Sequence, residues 1–212
     1  VDYALENTID FIIIAGDLYD GDWPDYTTGL FFANAMGRLA RARIPVYLLY
    51  GNHDAESRIT KRLVLPENVF VFPAKAPHTY FIRDLKVALH GQSFATAAVT
   101  DNLARAYPPA RPGYFNIGVL HTSATGRAGH APYAPCQPAE LVTKGYDYWA
   151  LGHVHAREVL QEFPHIVFAG NLQGRNIRET GAKGFSVVTV VEHKVAGVEA
   201  VAADAVRWVR LV

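Results

Sequence analysis

The chain has 212 residues, half of them hydrophobic, and its 20 basic and 20 acidic side chains cancel to a formal net charge of zero. This balance is typical of a globular protein with a sizeable core, and bulk charge indicates no nucleic-acid or membrane partner. No apolar run approaches the roughly 18 residues needed to span a bilayer, so no membrane association is expected. The single cysteine, Cys136, excludes an intrachain disulfide and suits a cytoplasmic protein.

The first two predicted strands set the fold class. The β-branched run at 10–15 and the apolar run at 46–50 indicate strands buried on both faces, and the helical pattern at 25–43 between them predicts a parallel pair. Further strands are predicted at 69–72, 79–83, 86–90, 116–120 and 148–151, with short helices at 97–106 and 138–144. An antiparallel meander is predicted from 158 onward, at 158–163, 165–169, 184–191, 195–201 and 205–211. The expected fold is α/β, an αββα sandwich of two packed sheets with helices outside.

Polar side chains follow four of the predicted buried strands. They lie in the segments GDLYD (16–20) and GNHD (51–54), at His121, and in GHVH (152–155). Taken singly, each is better explained by turn chemistry or by a structural histidine. Because all four lie at carboxyl ends of strands, where open α/β sheets place their ligand crevice, together they predict one site.

The residue types in these segments indicate a metal site. Asp, Asn and several neutral His side chains, without Cys, favour Mn, Fe or Zn over Ca or Mg. A carboxylate can bridge two divalent cations about 3.5–4 Å apart, and such a pair clamps a phosphoryl group and lowers the pKa of a bound water. The sequence therefore predicts a two-metal site for phosphate chemistry.

GDLYD, GNHD, the strand-end histidine and GHVH resemble the motifs of the calcineurin-like metallophosphoesterase superfamily. Within it, the chain resembles the SbcD-type DNA repair exonucleases over residues 1–200. Three stretches resemble the YhaO-like branch in particular: LHTSATGRAGHAPYAPC, KGYDYWALGHVHAREVL and FAGNLQGRNIRETGAKG. The resemblance implies that 1–212 is a metallophosphoesterase catalytic domain and a manganese-dependent phosphodiesterase acting on DNA, as an exonuclease and an endonuclease.

The resemblance also implies a role for each motif residue. Asp17 would bridge two metal ions, of which Mn is expected and Fe or Zn are the alternatives. Asn52, His121 and His153 would complete the ligand set of one metal ion, and His155 would bind the other. This family opens with a strand ending in Asp-x-His, and both residues bind the metal shared with His155. No such motif precedes Asp17 here, so either these residues lie outside this chain or the second metal site is incomplete. The family's capping domain, which helps to bind DNA, would follow the last residue.

Two further residues of these motifs are expected to be catalytic rather than metal-binding. His53 would face the substrate phosphate and protonate the leaving oxygen. Asp20 would hydrogen-bond to His53 and orient its ring.

Other residues carry weaker predictions. Asn171, Arg175 and Arg178 lie in a loop that could face the site, where an arginine fork suits phosphate, although a solvated loop explains them equally well. His130, in the long loop 122–137, is better explained as a surface residue.

The resemblance implies DNA and a coiled-coil ATPase of the SbcC type as partners, and a second copy of the chain in a homodimer is a further expected partner. Two alternatives stay open: a phosphodiesterase for a small molecule such as a cyclic nucleotide, and a scaffold that keeps the fold without turnover. The motifs specify the chemistry and not the leaving group.

Overall fold

The computed structural model describes residues 1–19, 26–57, 63–126 and 131–210. Its helices are α1 (Asp2–Glu6), α2 (Thr27–Arg41), α3 (Asn52–Glu56) and α4 (Pro138–Val142), with a 3-10 helix at Leu103–Ala106. Its strands are β1 (Ile12–Ala15), β2 (Val46–Leu49), β3 (Val69–Val71), β4 (His78–Ile82), β5 (Val87–Gly91), β6 (Phe115–His121), β7 (Tyr148–Gly152), β8 (Glu158–Glu162), β9 (His165–Phe168), β10 (Gly184–Val191) and β11 (Lys194–Ala202). None of the helices in these ranges is long and apolar enough to cross a membrane.

The described strands form two sheets and a separate ribbon. β1, β2 and β3 make a parallel three-stranded sheet in that order. The larger sheet has the order β4-β5-β6-β7-β9-β8, with β5, β6, β7 and β9 mutually parallel and antiparallel strands at both edges. β10 and β11 form an antiparallel pair. The α/β prediction is confirmed, and so is the parallel pairing of the first two strands.

Alternating side chains on the strands build three layers of core. In β1, Ile13 and Ala15 face the larger sheet, whereas Ile12 and Ile14 pack against the helices α1 and α2. In the larger sheet, β6 turns Phe115, Ile117 and Val119 toward the smaller sheet. The opposite face of β7 carries Trp149 and Leu151, which pack under α4 and the 3-10 helix. Burying one such side chain contributes about 1.5–3 kcal/mol, so this double-sided pattern fixes how the two sheets face each other.

The predicted meander is wrong in two respects. β9 pairs in parallel with β7, which places the β8–β9 hairpin in the larger sheet and leaves β10 and β11 as a ribbon. Residues 205–210 form no strand, although the segment AVRWVR is mostly apolar. The Gln173 side chain takes the place of a neighbouring strand: its Oε1 accepts from the backbone N–H groups of Ala205 and Val206, and its Nε2 donates to the Val206 carbonyl.

The helix predicted at 97–106 shortens to one 3-10 turn at Leu103–Ala106. Its expected first turns are not helical, because the Val99 carbonyl accepts a hydrogen bond from the backbone N–H of Ala134 in a distant loop. Pro108 and Pro109 follow the turn and cannot donate the backbone hydrogen bonds that would continue a helix.

A buried histidine makes the stability of the larger sheet sensitive to pH. His90 lies in β5 with its Nδ1 2.8 Å from the Thr79 hydroxyl and its Nε2 3.1 Å from the Asn116 side-chain oxygen, and its ring stacks on Tyr146. Burial lowers the pKa of His90 below its ordinary 6.5, against the opposing effect of the hydrogen bond to Asn116. Because the unfolded chain then binds the proton more tightly, the free energy of unfolding should fall as the pH drops through that ordinary value, until His90 is protonated in the folded state as well.

Denaturant titrations between neutral pH and about pH 5 measure this effect. The variant His90→Gln should show a shallower decline, because an amide can replace both hydrogen bonds without titrating. Equal slopes for the two proteins would show that the pH dependence has another origin.

Candidate metal centre

The four polar segments meet where the two sheets come together. Asp17 follows β1, and Asn52 is the first residue of α3, directly after β2. His121 is the last residue of β6, and His153 follows β7. A Cβ added at Gly152 would overlap the Ala15 carbonyl, so the carboxyl ends of β7 and β1 are in contact at this point. Each sheet therefore contributes two of the four side chains.

The side-chain ligand atoms of these residues lie close to one another. The ligand atoms of Asp17, His121 and His153 all lie within 4.8 Å of one another. The Asn52 side-chain oxygen is 2.9 Å from His121 Nε2 and 3.2 Å from His153 Nδ1, and His121 Nε2 is 3.4 Å from an Asp17 carboxylate oxygen. These four side chains are the set that the sequence predicts for one metal ion.

Both histidine rings are oriented by backbone carbonyls on their far side. His121 Nδ1 lies 2.9 Å from the Ala15 carbonyl oxygen, and His153 Nε2 lies 2.9 Å from that of Ala131. A carbonyl only accepts, so each of these nitrogens carries the hydrogen and the other nitrogen of the neutral ring turns a lone pair inward. Two lone pairs, an amide oxygen and a carboxylate then face one another, an arrangement that a positive charge between them would stabilise and that fits a divalent metal.

The electrostatics and the backbone conformation of the cluster also favour a metal site. Burial raises the pKa of Asp17, but the hydrogen bond that a protonated His121 would donate, together with the positive charges of a protonated His121 and His53, outweighs burial and leaves that pKa below 3.8. A metal ion beside a neutral His121 would supply the same positive charge. Asp17 and His153 also adopt left-handed backbone, with φ of 52° and 92°. A residue other than glycine in this region costs about 1–3 kcal/mol, and such strain persists mainly at functional sites.

Asp54, the last residue of GNHD, stabilises the loops that carry the cluster. The sequence predicts no role for it. Its buried carboxylate accepts hydrogen bonds from the backbone N–H groups of Leu18 (3.1 Å), Tyr19 (3.2 Å) and Gly51 (3.0 Å). Burial raises the pKa of Asp54 to about 6, and these hydrogen bonds oppose the increase. One side chain thus ties the loop after β1 to the loop after β2. The motif contains Asp54, but its role depends on two loops that only the fold brings together.

The two residues predicted for acid catalysis differ in what the structure shows. The backbone N–H of His53 donates to an Asp17 carboxylate oxygen at 3.1 Å, which places His53 beside the cluster. Asp20 lies outside the described residues, and so does His130.

His155 is not a member of the group formed by Asp17, His121 and His153, and an acidic residue contacts its ring. Its Nδ1 lies 2.9 Å from a carboxylate oxygen of Glu179, a residue that sequence reasoning missed. Burial raises the pKa of Glu179, but hydrogen bonds from His155, Arg175 and Asn171 outweigh it and lower that pKa to about 2. Glu179 follows no strand, so a search at strand ends could not find it.

The weakly predicted loop residues separate into two groups. Asn171 and Arg175 both donate to Glu179, which brings them close to His155. Arg178 is exposed, and its backbone N–H donates to the side-chain oxygen of Asn176.

Comparison with known proteins agrees with this geometry. Residues 1–157 match the family model of the calcineurin-like phosphoesterases. Over 194 residues the chain is 38% identical to the uncharacterized metallophosphoesterase YhaO of Bacillus subtilis, which covers 90% of this chain and 48% of YhaO. Over 169 residues it is 25% identical to the DNA double-strand break repair protein Mre11 of Sulfurisphaera tokodaii, which covers 76% of this chain and 42% of Mre11.

The chain thus spans about half the length of the curated relatives it matches. The family match covers most of the chain and includes all four strand-end segments. The chain belongs to the calcineurin-like phosphoesterase family, whose members use divalent metals.

Proposed function

We propose that this protein is a metal-dependent phosphodiesterase whose substrate is DNA. The observation that carries the proposal is the cluster of acceptor atoms from Asp17, Asn52, His121 and His153, in a chain of the phosphoesterase family. The similarity to a protein named for DNA double-strand break repair supports DNA as the substrate. A coiled-coil ATPase of the SbcC type and a homodimeric partner belong to the same proposal.

Asp17, Asn52, His121 and His153 would hold one cation, and His155 would contribute to a second shared through Asp17. The donor set favours Mn, with Fe or Zn as the alternatives. Bound cations supply a polarised phosphoryl group and a lowered pKa for the attacking water. In this proposal the His53 ring donates a proton to the leaving oxygen, and the hydrogen bond from its backbone to Asp17 fixes its position relative to the cluster.

The surroundings of His155 suit a substrate with more than one phosphate. A cavity of about 110 Å³ adjoins His155 and is lined by Arg157 and Lys183, with no acidic side chain among its described lining residues. Lys183 is 9% exposed, and its ammonium donates to the His155 carbonyl at 3.3 Å. Two cationic side chains beside His155 would bind the neighbouring phosphate of a nucleic-acid strand, which a cyclic mononucleotide lacks.

Hydrolysis of bis-p-nitrophenyl phosphate tests the proposal. In a form that also carries the family's Asp-x-His motif, the protein should hydrolyse this ester with Mn²⁺ and lose the activity when a chelator removes the metal. His121→Ala should abolish turnover and reduce metal affinity by more than the roughly 10–100-fold typical of a change outside the ligand set, because it removes a ligand. His78→Ala, a histidine exposed in β4, is the matched control and should behave as the wild type does.

Comparison of double-stranded DNA with cyclic nucleotides then identifies the substrate class. Faster turnover of cyclic nucleotides would replace the DNA assignment by a small-molecule phosphodiesterase. If the protein neither binds metal nor turns over any of these substrates, the alternative of a scaffold that keeps the fold would replace the proposal.

A further inference from the structure

The carboxylate of Glu179 accepts hydrogen bonds from several polar groups around His155. Its side chain is 15% exposed and lies in the loop between β9 and β10. One oxygen is 2.9 Å from His155 Nδ1 and 3.4 Å from Arg175 Nε. The other accepts from Asn171 Nδ2 at 2.7 Å and from the backbone N–H of Arg175 at 3.1 Å. Glu179 therefore contacts His155, Asn171 and Arg175, three side chains that the sequence predicts near the site.

This contact decides which ring nitrogen of His155 carries the hydrogen. An ionised carboxylate only accepts, so Nδ1 donates to Glu179 and the lone pair of the neutral ring lies on Nε2. The Arg175 guanidinium offers the opposite choice, because its Nη2 lies 3.3 Å from the same Nδ1 and can only donate. Without the carboxylate, Arg175 would donate to Nδ1 and the hydrogen would move to Nε2, which could then bind no cation.

We propose that Glu179 is a positioning residue that fixes the Nδ1–H tautomer of His155 and holds Arg175 beside it, so that the lone pair on His155 Nε2 can serve as a metal ligand. The tautomer follows from the contact between the Glu179 carboxylate and His155 Nδ1. The use of Nε2 as a metal ligand rests on the proposed function.

Nitrogen-15 NMR of the metal-free protein, at a pH where the imidazole is neutral, tests the tautomer without any need for turnover. In the wild type, His155 should show a pyrrole-type Nδ1 and a pyridine-type Nε2, with the signals assigned by their loss in His155→Ala. Glu179→Ala should reverse or mix the two signals. Glu179→Gln should keep them, because the amide oxygen still accepts from Nδ1. Glu199→Ala, at an exposed glutamate in β11, is the matched control and should change nothing.

A wild-type His155 that carries its hydrogen on Nε2 would overturn the proposal, and so would a folded Glu179→Ala variant with an unchanged tautomer. If Glu179→Ala fails to fold, the wild-type and Glu179→Gln spectra still decide the question. Titration with Mn²⁺ separates the second half of the proposal. The loss of Glu179 should weaken metal binding on the order of 10–100-fold, whereas an unchanged affinity would remove His155 from the ligand set and leave its tautomer assignment standing.

Discussion

Replacing His53 with alanine is expected to lower kcat by roughly 10²–10⁴-fold, the usual range for the loss of a general acid, and to leave metal affinity nearly unchanged. The structure supports this separation, because the hydrogen bond between His53 and Asp17 runs through the backbone N–H and survives the substitution. The atoms of the metal cluster come from other side chains. Steady-state kinetics on DNA and a manganese titration of the same variant measure the two quantities.

The leaving group provides the control for this prediction. Esters of p-nitrophenol leave readily without protonation, so the loss of activity in His53→Ala should be much smaller on these esters than on DNA. A variant that no longer binds metal would show that His53 is a ligand. Unchanged hydrolysis of DNA would show that the proton comes from another group.

Gly51→Ala is expected to disrupt the centre without removing any of its polar atoms. A Cβ at Gly51 would overlap the Asp17 carboxylate and the ring of His121. His121 is completely buried and is held from behind by the Ala15 carbonyl, so its ring has no space to retreat. The substitution should lower the free energy of unfolding by about 1–3 kcal/mol, as overpacking does, and weaken metal binding on the order of 10–100-fold.

Gly37→Ala is the matched control for this substitution. Gly37 lies within α2, and a Cβ there would come no closer than 4.0 Å to the Arg41 guanidinium. This change should raise stability by about 0.5–1 kcal/mol, because alanine favours the helix. Wild-type metal affinity in Gly51→Ala would mean that the ring of His121 can move and that the close approach is not required.

The sequence predicted the strands well because buried strands produce long apolar runs and end at glycine or polar residues. The same rule brought Asp17, Asn52, His121 and His153 to one edge, since the carboxyl ends of the parallel strands in both sheets meet there. The strand predicted at 205–211 was wrong, because the backbone of Val206 is hydrogen-bonded to the side chain of Gln173 and not to a neighbouring strand.

Asp54 and Glu179 could not be assigned for a related reason. Asp54 accepts hydrogen bonds from Leu18 and Tyr19, which are 36 and 35 residues away, and Glu179 contacts His155 across 24 residues. No periodic pattern encodes such contacts, because they exist only after the loops have come together. The role of Asp20 stays a prediction, because Asp20 lies outside the described residues.

The division of the candidate ligands between the two sheets links metal uptake to folding. Asp17 and Asn52 follow strands of the smaller sheet, whereas His121 and His153 belong to the ends of β6 and β7 in the larger one. A cation bound to all four would therefore act as a non-covalent cross-link between the halves of the sandwich. At a free concentration 100 times its dissociation constant, such a ligand adds about 2.7 kcal/mol to the stability of the folded state. Scarcity of metal would thus lower the population of folded protein as well as the rate of catalysis.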